Sequence, residues 1–106
     1  MNNQKIYNKL VRDKILNIIK NNNQNYTYHI ADLEEYKTKL LDKLTEEVNE
    51  FKVDKNEEEI ADILEIIDAI ILTYNLSIEN IYNIKNFKAE NKGNFKNKII
   101  LESTFD

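Results

Sequence analysis

The sequence predicts an all-α protein, an antiparallel helical bundle, and three observations carry that prediction. Apolar residues recur at steps of three and four over two long stretches, 33–51 and 60–74, separated by a short polar turn. The 106 residues include one Gly and no Pro, which removes most of the turn vocabulary that a many-stranded sandwich or barrel needs. Residues that favour helix N-termini, Asp32 and Ser77 among them, stand just ahead of helical patterns.

The elements follow in order. Asp13 is placed to cap a short helix over about residues 14–21, with Ile15, Ile18 and Ile19 on one side. Asn21 to Asn25 is the only low-complexity stretch and reads as a loop. Tyr26, Tyr28 and Ile30 alternate with Thr27 and His29, the pattern of a short strand over 26–30. Asp32 and Glu35 form a capping pair for a long helix ending near Val53, with Leu33, Tyr36, Leu40, Leu44, Val48 and Phe51 along one face. Asp54 to Asn56 is a polar turn, and Glu57, Glu58 and Glu59 favour the start of the next helix through its dipole. Ile60, Ile63, Leu64, Ile67, Ile71 and Tyr74 form that helix's inner stripe, widened by Ile66 and Ile70, so it is expected to be the most buried. Ser77 caps a last helix running to about Lys92, with Leu76 and Ile81 spaced as a hydrophobic staple. Gly93 falls where a residue with positive φ ends a helix, and a second short strand is expected over 95–101. Residues 1–106 are expected to form a single domain. Its small size and the wide apolar face of residues 60–74 imply a homodimer or higher homo-oligomer.

Composition excludes several classes of chemistry. One Gly rules out a Walker loop and a dinucleotide fingerprint, so any bound phosphate must be held by side chains, a metal or a helix end. The absence of Cys excludes disulfides, thiolate nucleophiles and Cys-ligated zinc. A lone histidine, His29, excludes a His-rich metal site. The formal net charge of −4 argues against a nucleic acid polymer as partner. The polar start of the chain lacks the apolar core of a signal peptide, and the longest apolar run, Ala69 to Leu72, is too short to span a membrane. A cytoplasmic location without membrane attachment is the expectation.

Nineteen acids are no motif in themselves; their placement on the helices sorts them. At about 100° per residue, measured from Leu33, the apolar centre of the first long helix lies near about 20°. Glu47 projects near about 320°, inside the apolar stripe; Glu50 projects near about 260°, on its flank, and Asn49 faces away. On the next helix, measured from Ile60, Glu59 and Asp62 project near about 260° and about 200°, on the flank that Ile66 continues one turn later. Glu65 and Asp68 fall on the solvent side. A short turn makes the two helices antiparallel, so Glu47, Glu50, Glu59 and Asp62 converge. Four partly desolvated carboxylates raise one another's pKa values, and a divalent cation relieves that repulsion. All-oxygen ligation points to Mg²⁺, with Mn²⁺ as substitute, rather than zinc or di-iron. The competing reading is that these acids are solvated decoration near helix ends.

A wider pattern surrounds these acids. Glu46-Glu47-Val48-Asn49-Glu50 followed by Glu59-Ile60-Ala61-Asp62 resembles the EExxE…ExxD signature of the all-α NTP pyrophosphatases, the MazG superfamily. Tyr7-Asn8-Lys9-Leu10-Val11-Arg12-Asp13-Lys14-Ile15 resembles the opening of its compact house-cleaning branch, related to phosphoribosyl-ATP pyrophosphohydrolases. Lys92-Gly93-Asn94-Phe95 with Lys98-Ile99-Ile100-Leu101 is similar to that branch's RGGFxxRIIL-like ending. The chain departs from the branch at Leu16, where Pro is usual, at Lys92 and Lys98, where Arg is common, and at Asn94, in place of a second Gly.

The resemblance implies that Glu47, Glu50, Glu59 and Asp62 hold Mg²⁺. It also implies hydrolysis of a noncanonical or surplus nucleoside triphosphate to monophosphate and pyrophosphate, by a homodimer or higher homo-oligomer. One of the four acids, or Glu46, orients the water. Lys9, Arg12 and Lys14 form an N-terminal cation cluster for phosphate, with Arg12, the only Arg, suited to bidentate contact. Lys43 reaches phosphate or pairs with Glu47 at i+4. Lys88, Lys92, Lys96 and Lys98 form a second basic cluster, for phosphate or as ordinary decoration of a helix C-terminus. Tyr7, Tyr26, Tyr28 and Phe95 are expected mostly to pack in the core. The alternative function is a non-catalytic nucleotide-binding or regulatory module of the same fold.

Overall fold

A computed structural model describes residues 4–106. It is all-helical: α1 (Ile15–Asn21), α2 (Leu33–Asp54), α3 (Glu57–Thr73) and α4 (Ile78–Lys92), with no strand among the described residues. The chain divides into two compact units, Met1–Tyr74 and Asn75–Asp106.

In the first unit, local chemistry sets the helix ends. Asp32 accepts a hydrogen bond from the Glu35 amide at 2.8 Å and so caps α2. The Glu35 side chain does not close the reciprocal half of a capping box; it pairs with His29 Nε2 at 2.9 Å. Lys55 ends α2 in the left-handed conformation (φ 49°, ψ 46°), its amide donating to the Phe51 carbonyl at 2.9 Å. Asn56 then caps α3, accepting from the Glu59 amide at 3.1 Å. Two residues therefore separate the long helices, which forces them into an antiparallel pair. Asp13 does not cap α1: the cap position falls to Lys14, with no side-chain hydrogen bond, because a turn closed by the Ile15 amide on the Arg12 carbonyl precedes the helix.

Helices α2 and α3 pack along one narrow seam. Leu40 and Glu47 are the buried residues of α2, and Glu59 and Ile66 those of α3. Each pair is seven residues apart, the spacing that returns a helix to nearly the same face after two turns. The seam thus has two layers: Glu47 and Glu59 near the turn, and, in the same antiparallel register, Leu40 opposite Ile66. This corrects the expected inner stripe of α3. Ile66, read as widening the stripe, is buried at 8% exposure, while Ile63 and Ile71 are half-buried and Ile60, Leu64, Ile67 and Tyr74 are exposed. Two helices bury only the strip along their line of contact, and that line follows the flank carrying the acids, leaving the broader aliphatic face uncovered.

The second unit is built on α4. Ser77 caps it, accepting from the Asn80 amide at 3.1 Å. Gly93 ends it at φ 82° and ψ 179°, a region essentially restricted to glycine, with its amide donating to the Ala89 carbonyl. Neither expected strand forms. Residues 26–30 and 95–101 lack regular structure, because a strand is stable only when a neighbouring backbone fills its ladder. The alternation over 26–30 survives locally: the Tyr26 and Tyr28 rings lie 6.0 Å apart, tilted by 50°. The aromatic side chains expected in a core are on the surface instead; Tyr7, Tyr26, Tyr28 and Phe95 are all exposed.

Candidate metal centre

Five acids meet beside the α2–α3 turn. Glu47, Glu59 and Asp62 each bring a carboxylate oxygen within 4.8 Å of the others, and Glu46, Glu47 and Glu50 do the same on the α2 side. Glu47 belongs to both groups and joins them. The four acids singled out by projection, Glu47, Glu50, Glu59 and Asp62, are therefore brought together. Asn49, Glu65 and Asp68, which the projection turned outwards, are exposed.

Burial separates two of these acids, Glu47 and Glu59, from ordinary surface charge; Glu46 and Asp62 are half-buried and Glu50 is exposed. Glu47 and Glu59 retain 6% and 8% exposure, and Oε2 of each has no hydrogen-bond partner. A buried, unpartnered carboxylate oxygen carries the full penalty of desolvation. Loss of solvent raises the Glu47 carboxyl above its ordinary value, and the neighbouring charges of Glu50 and Asp62 raise it further. The same two effects, desolvation first and then Glu50, push the Glu59 carboxyl up to about 7. Glu59 is the third residue of α3, where unpaired amides and the positive end of the helix dipole offset part of that cost. The seam position that an apolar residue fills one layer away is thus given to two acids that repel each other.

Cations line the rim. Lys9 Nζ lies 2.7 Å from Glu46 Oε1 and Lys43 Nζ lies 3.2 Å from Glu46 Oε2. The hydrogen bond from Lys9 holds the Glu46 carboxyl below its usual value, and Lys9 is raised in return. Lys43 also stands 3.7 Å from Glu47 Oε1, the i+4 pairing that the sequence left open as an alternative. Arg12 Nη2 is 2.8 Å from Asp62 Oδ1. The structure thus brings Lys9, Arg12, Lys43 and Glu46 to the cluster. Lys14 is exposed at the cap position of α1 and makes no ion pair among the described residues. Lys88, Lys92 and Lys98 belong to the second unit, where all three are exposed and Lys98 adopts a left-handed backbone (φ 58°).

Two contributors escaped the sequence reading. Asn56 fixes the first turn of α3 through the Glu59 amide; an Asn directly before three acids is a legible cap signal. Lys39 Nζ donates to the Asn8 carbonyl at 2.8 Å and ties the N-terminal segment to α2. Nothing local marks Lys39, because its partner lies 31 residues away.

The donor set fits a hard divalent cation: carboxylate oxygens only, two of them buried without partners, and no nitrogen or sulfur ligand in the cluster. Comparison of the chain with protein-family models, with curated proteins and with solved structures returns no match.

Proposed function

We propose that the chain is a Mg²⁺-dependent nucleoside triphosphate pyrophosphohydrolase that uses residues 1–106 as one functional domain and yields nucleoside monophosphate and pyrophosphate. The observation that carries the cation site is the pair of buried, unpartnered oxygens, Glu47 Oε2 and Glu59 Oε2, in one cluster with Asp62 and beside Glu50. The step from a cation site to this reaction rests on the ordered resemblance of the N-terminal block, the two acidic turns and the tail to the MazG-like superfamily.

In this reading Glu47, Glu50, Glu59 and Asp62 hold Mg²⁺ or Mn²⁺, which when bound neutralises phosphate charge and acidifies a water. Glu46 is clamped by Lys9 and Lys43 with its carboxyl held low, which suits it to accept a hydrogen bond and orient a water. Arg12, Lys9, Lys14 and Lys43 supply cations for phosphate oxygens from the first unit. No covalent nucleophile is needed.

The aliphatic face of α3 supports assembly as a homodimer. Ile60, Leu64 and Ile67 are exposed. An open groove of about 400 Å³, lined mainly by Phe51, Ile60, Ala61 and Leu64, lies against the turn. Such a face is covered at low cost by a second copy of the same helix pair. Among the described residues no helix is long and apolar enough to cross a membrane.

The deciding experiment incubates the pure protein with a panel of nucleoside triphosphates and Mg²⁺ and identifies the products. Pyrophosphate and monophosphate are expected, with turnover lost in Glu47→Gln and Asp62→Asn. Turnover in EDTA, or unchanged rates in those variants, would overturn the assignment. Tight nucleotide binding without product would replace it with a non-catalytic binding module.

A further inference from the structure

We propose that Arg12 and a divalent cation compete for Asp62, so that the N-terminal segment is a strap held across the acidic cluster and released when the cation enters. This inference rests on the cation site proposed above. Asp62 is under two claims. Its carboxylate belongs to the buried cluster with Glu47 and Glu59, and its Oδ1 accepts the Arg12 guanidinium at 2.8 Å. Arg12 therefore serves as a stand-in counter-ion at the edge of a centre whose two buried oxygens have no partner.

The two ends of the strap differ. Lys9 is fixed to Glu46 at 2.7 Å, and the neighbouring Asn8 carbonyl is held by Lys39 at 2.8 Å. Neither contact involves Glu47, Glu59 or Asp62. Glu46 borders the cluster through Glu47 and Glu50, but the anchor of the Asn8 carbonyl on Lys39 involves no carboxylate, so this end is the more firmly held. Arg12 is different: a single hydrogen bond from a side chain left 57% exposed is a weak, water-competed pair. A divalent cation brings twice the charge to the centre of the cluster instead of one charge to its rim. The exchange frees a planar guanidinium fork, three residues from a fixed anchor, at the place where phosphate oxygens would arrive. Cation entry would then prepare the phosphate contact, and the order of binding is written into one ion pair.

Two measurements on the full chain test this, both with Mn²⁺ as probe. Calorimetric titration compares the wild type with Arg12→Gln and with Lys14→Gln. Lys14→Gln removes the same charge two residues away without touching Asp62, and so reports the general field alone. Arg12→Gln is expected to tighten Mn²⁺ binding by roughly three- to fivefold, the range an exposed ion pair can supply, and Lys14→Gln by clearly less. The second measurement uses the fact that Arg12 is the only Arg. An arginine-specific protease that needs no added metal cuts this chain only there, and Mn²⁺ is expected to speed that cut severalfold. Equal effects of the two substitutions, or a cleavage rate that Mn²⁺ leaves unchanged while it binds, would overturn the strap. Absence of Mn²⁺ binding by the wild type, or unaltered binding in Glu47→Gln, would instead remove the cation site itself and the strap with it.

Discussion

Neutralising Glu47 should reverse the stability ranking of the protein with and without a divalent cation. In the absence of the cation, wild-type Glu47 carries an unpartnered buried oxygen and faces the charges of Glu50 and Asp62. Glu47→Gln keeps the shape and removes the charge, so the metal-free variant should melt above the wild type. With Mn²⁺ at a hundred times its Kd, the wild type gains about 2.7 kcal/mol. An unfolding entropy of about 2.1 cal/mol/K per residue gives about 0.22 kcal/mol/K for a chain this long, so the gain is a rise of about 12 °C in Tm. If losing one carboxylate weakens binding about a hundredfold, the same Mn²⁺ concentration gives the variant only about 0.4 kcal/mol, or about 2 °C. Scanning calorimetry of both proteins, in EDTA and in Mn²⁺, should show the two curves crossing. A variant that melts below the wild type in EDTA, or that keeps the full rise in Mn²⁺, would refute the argument that these acids are destabilising until a cation joins them.

The remaining predictions concern pH, packing and backbone. Metal-free stability should fall as pH rises. Glu59 is raised from 4.5 to about 7, so the folded state holds a proton that the unfolded chain has released; its contribution is fully present below about 4.5 and lost as pH passes about 7. Glu47 acts in the same direction, whereas Glu46, lowered by Lys9, contributes stability that is lost on acidification. Urea midpoints in EDTA between pH 4.5 and 8 test the slope, which saturating Mn²⁺ should reverse because cation binding displaces protons. Leu40 is 2% exposed and forms the apolar layer of the seam. Leu40→Ala should cost about 2–5 kcal/mol by denaturant unfolding. Asn56→Ala should cost about 1 kcal/mol through loss of the α3 cap and should also weaken Mn²⁺ binding, because the cap sets the backbone of Glu59. At Gly93 nothing lies within 4 Å of an added Cβ. Gly93→Ala should therefore act through backbone strain alone, about 1–3 kcal/mol, and read out as lost helicity at the end of α4.

The helices were legible in the sequence because their signals are local. Periodicity placed α2 and α3 to within a residue or two, and Asp32, Ser77 and Gly93 behave as their residue types require. The acidic cluster was legible too: a position in an apolar stripe and a two-helix turn suffice to bring Glu47, Glu50, Glu59 and Asp62 together. Residues 26–30 and 95–101 were misread as strands because alternation records only which side a residue faces. Whether a neighbouring backbone is there to pair with is not encoded in the run itself. The buried face of α3 differs from the expected stripe for a related reason. Hydrophobic width tells how much surface a helix offers, and the neighbour decides which strip is covered.

From its sequence alone, this protein is an all-helical chain with a helical hairpin that gathers carboxylates at its closed end, since dihedral preference, capping and the 3.6-residue period act within a few residues. Only the tertiary structure decided which flank of the hairpin became the seam. It also decided that Oε2 of Glu47 and Oε2 of Glu59 lose their water without gaining a hydrogen-bond partner. And it brought Arg12 to Asp62, 50 positions along the chain. Full desolvation and long-range ion pairing depend on what arrives from a distance, and no local pattern in a sequence records that.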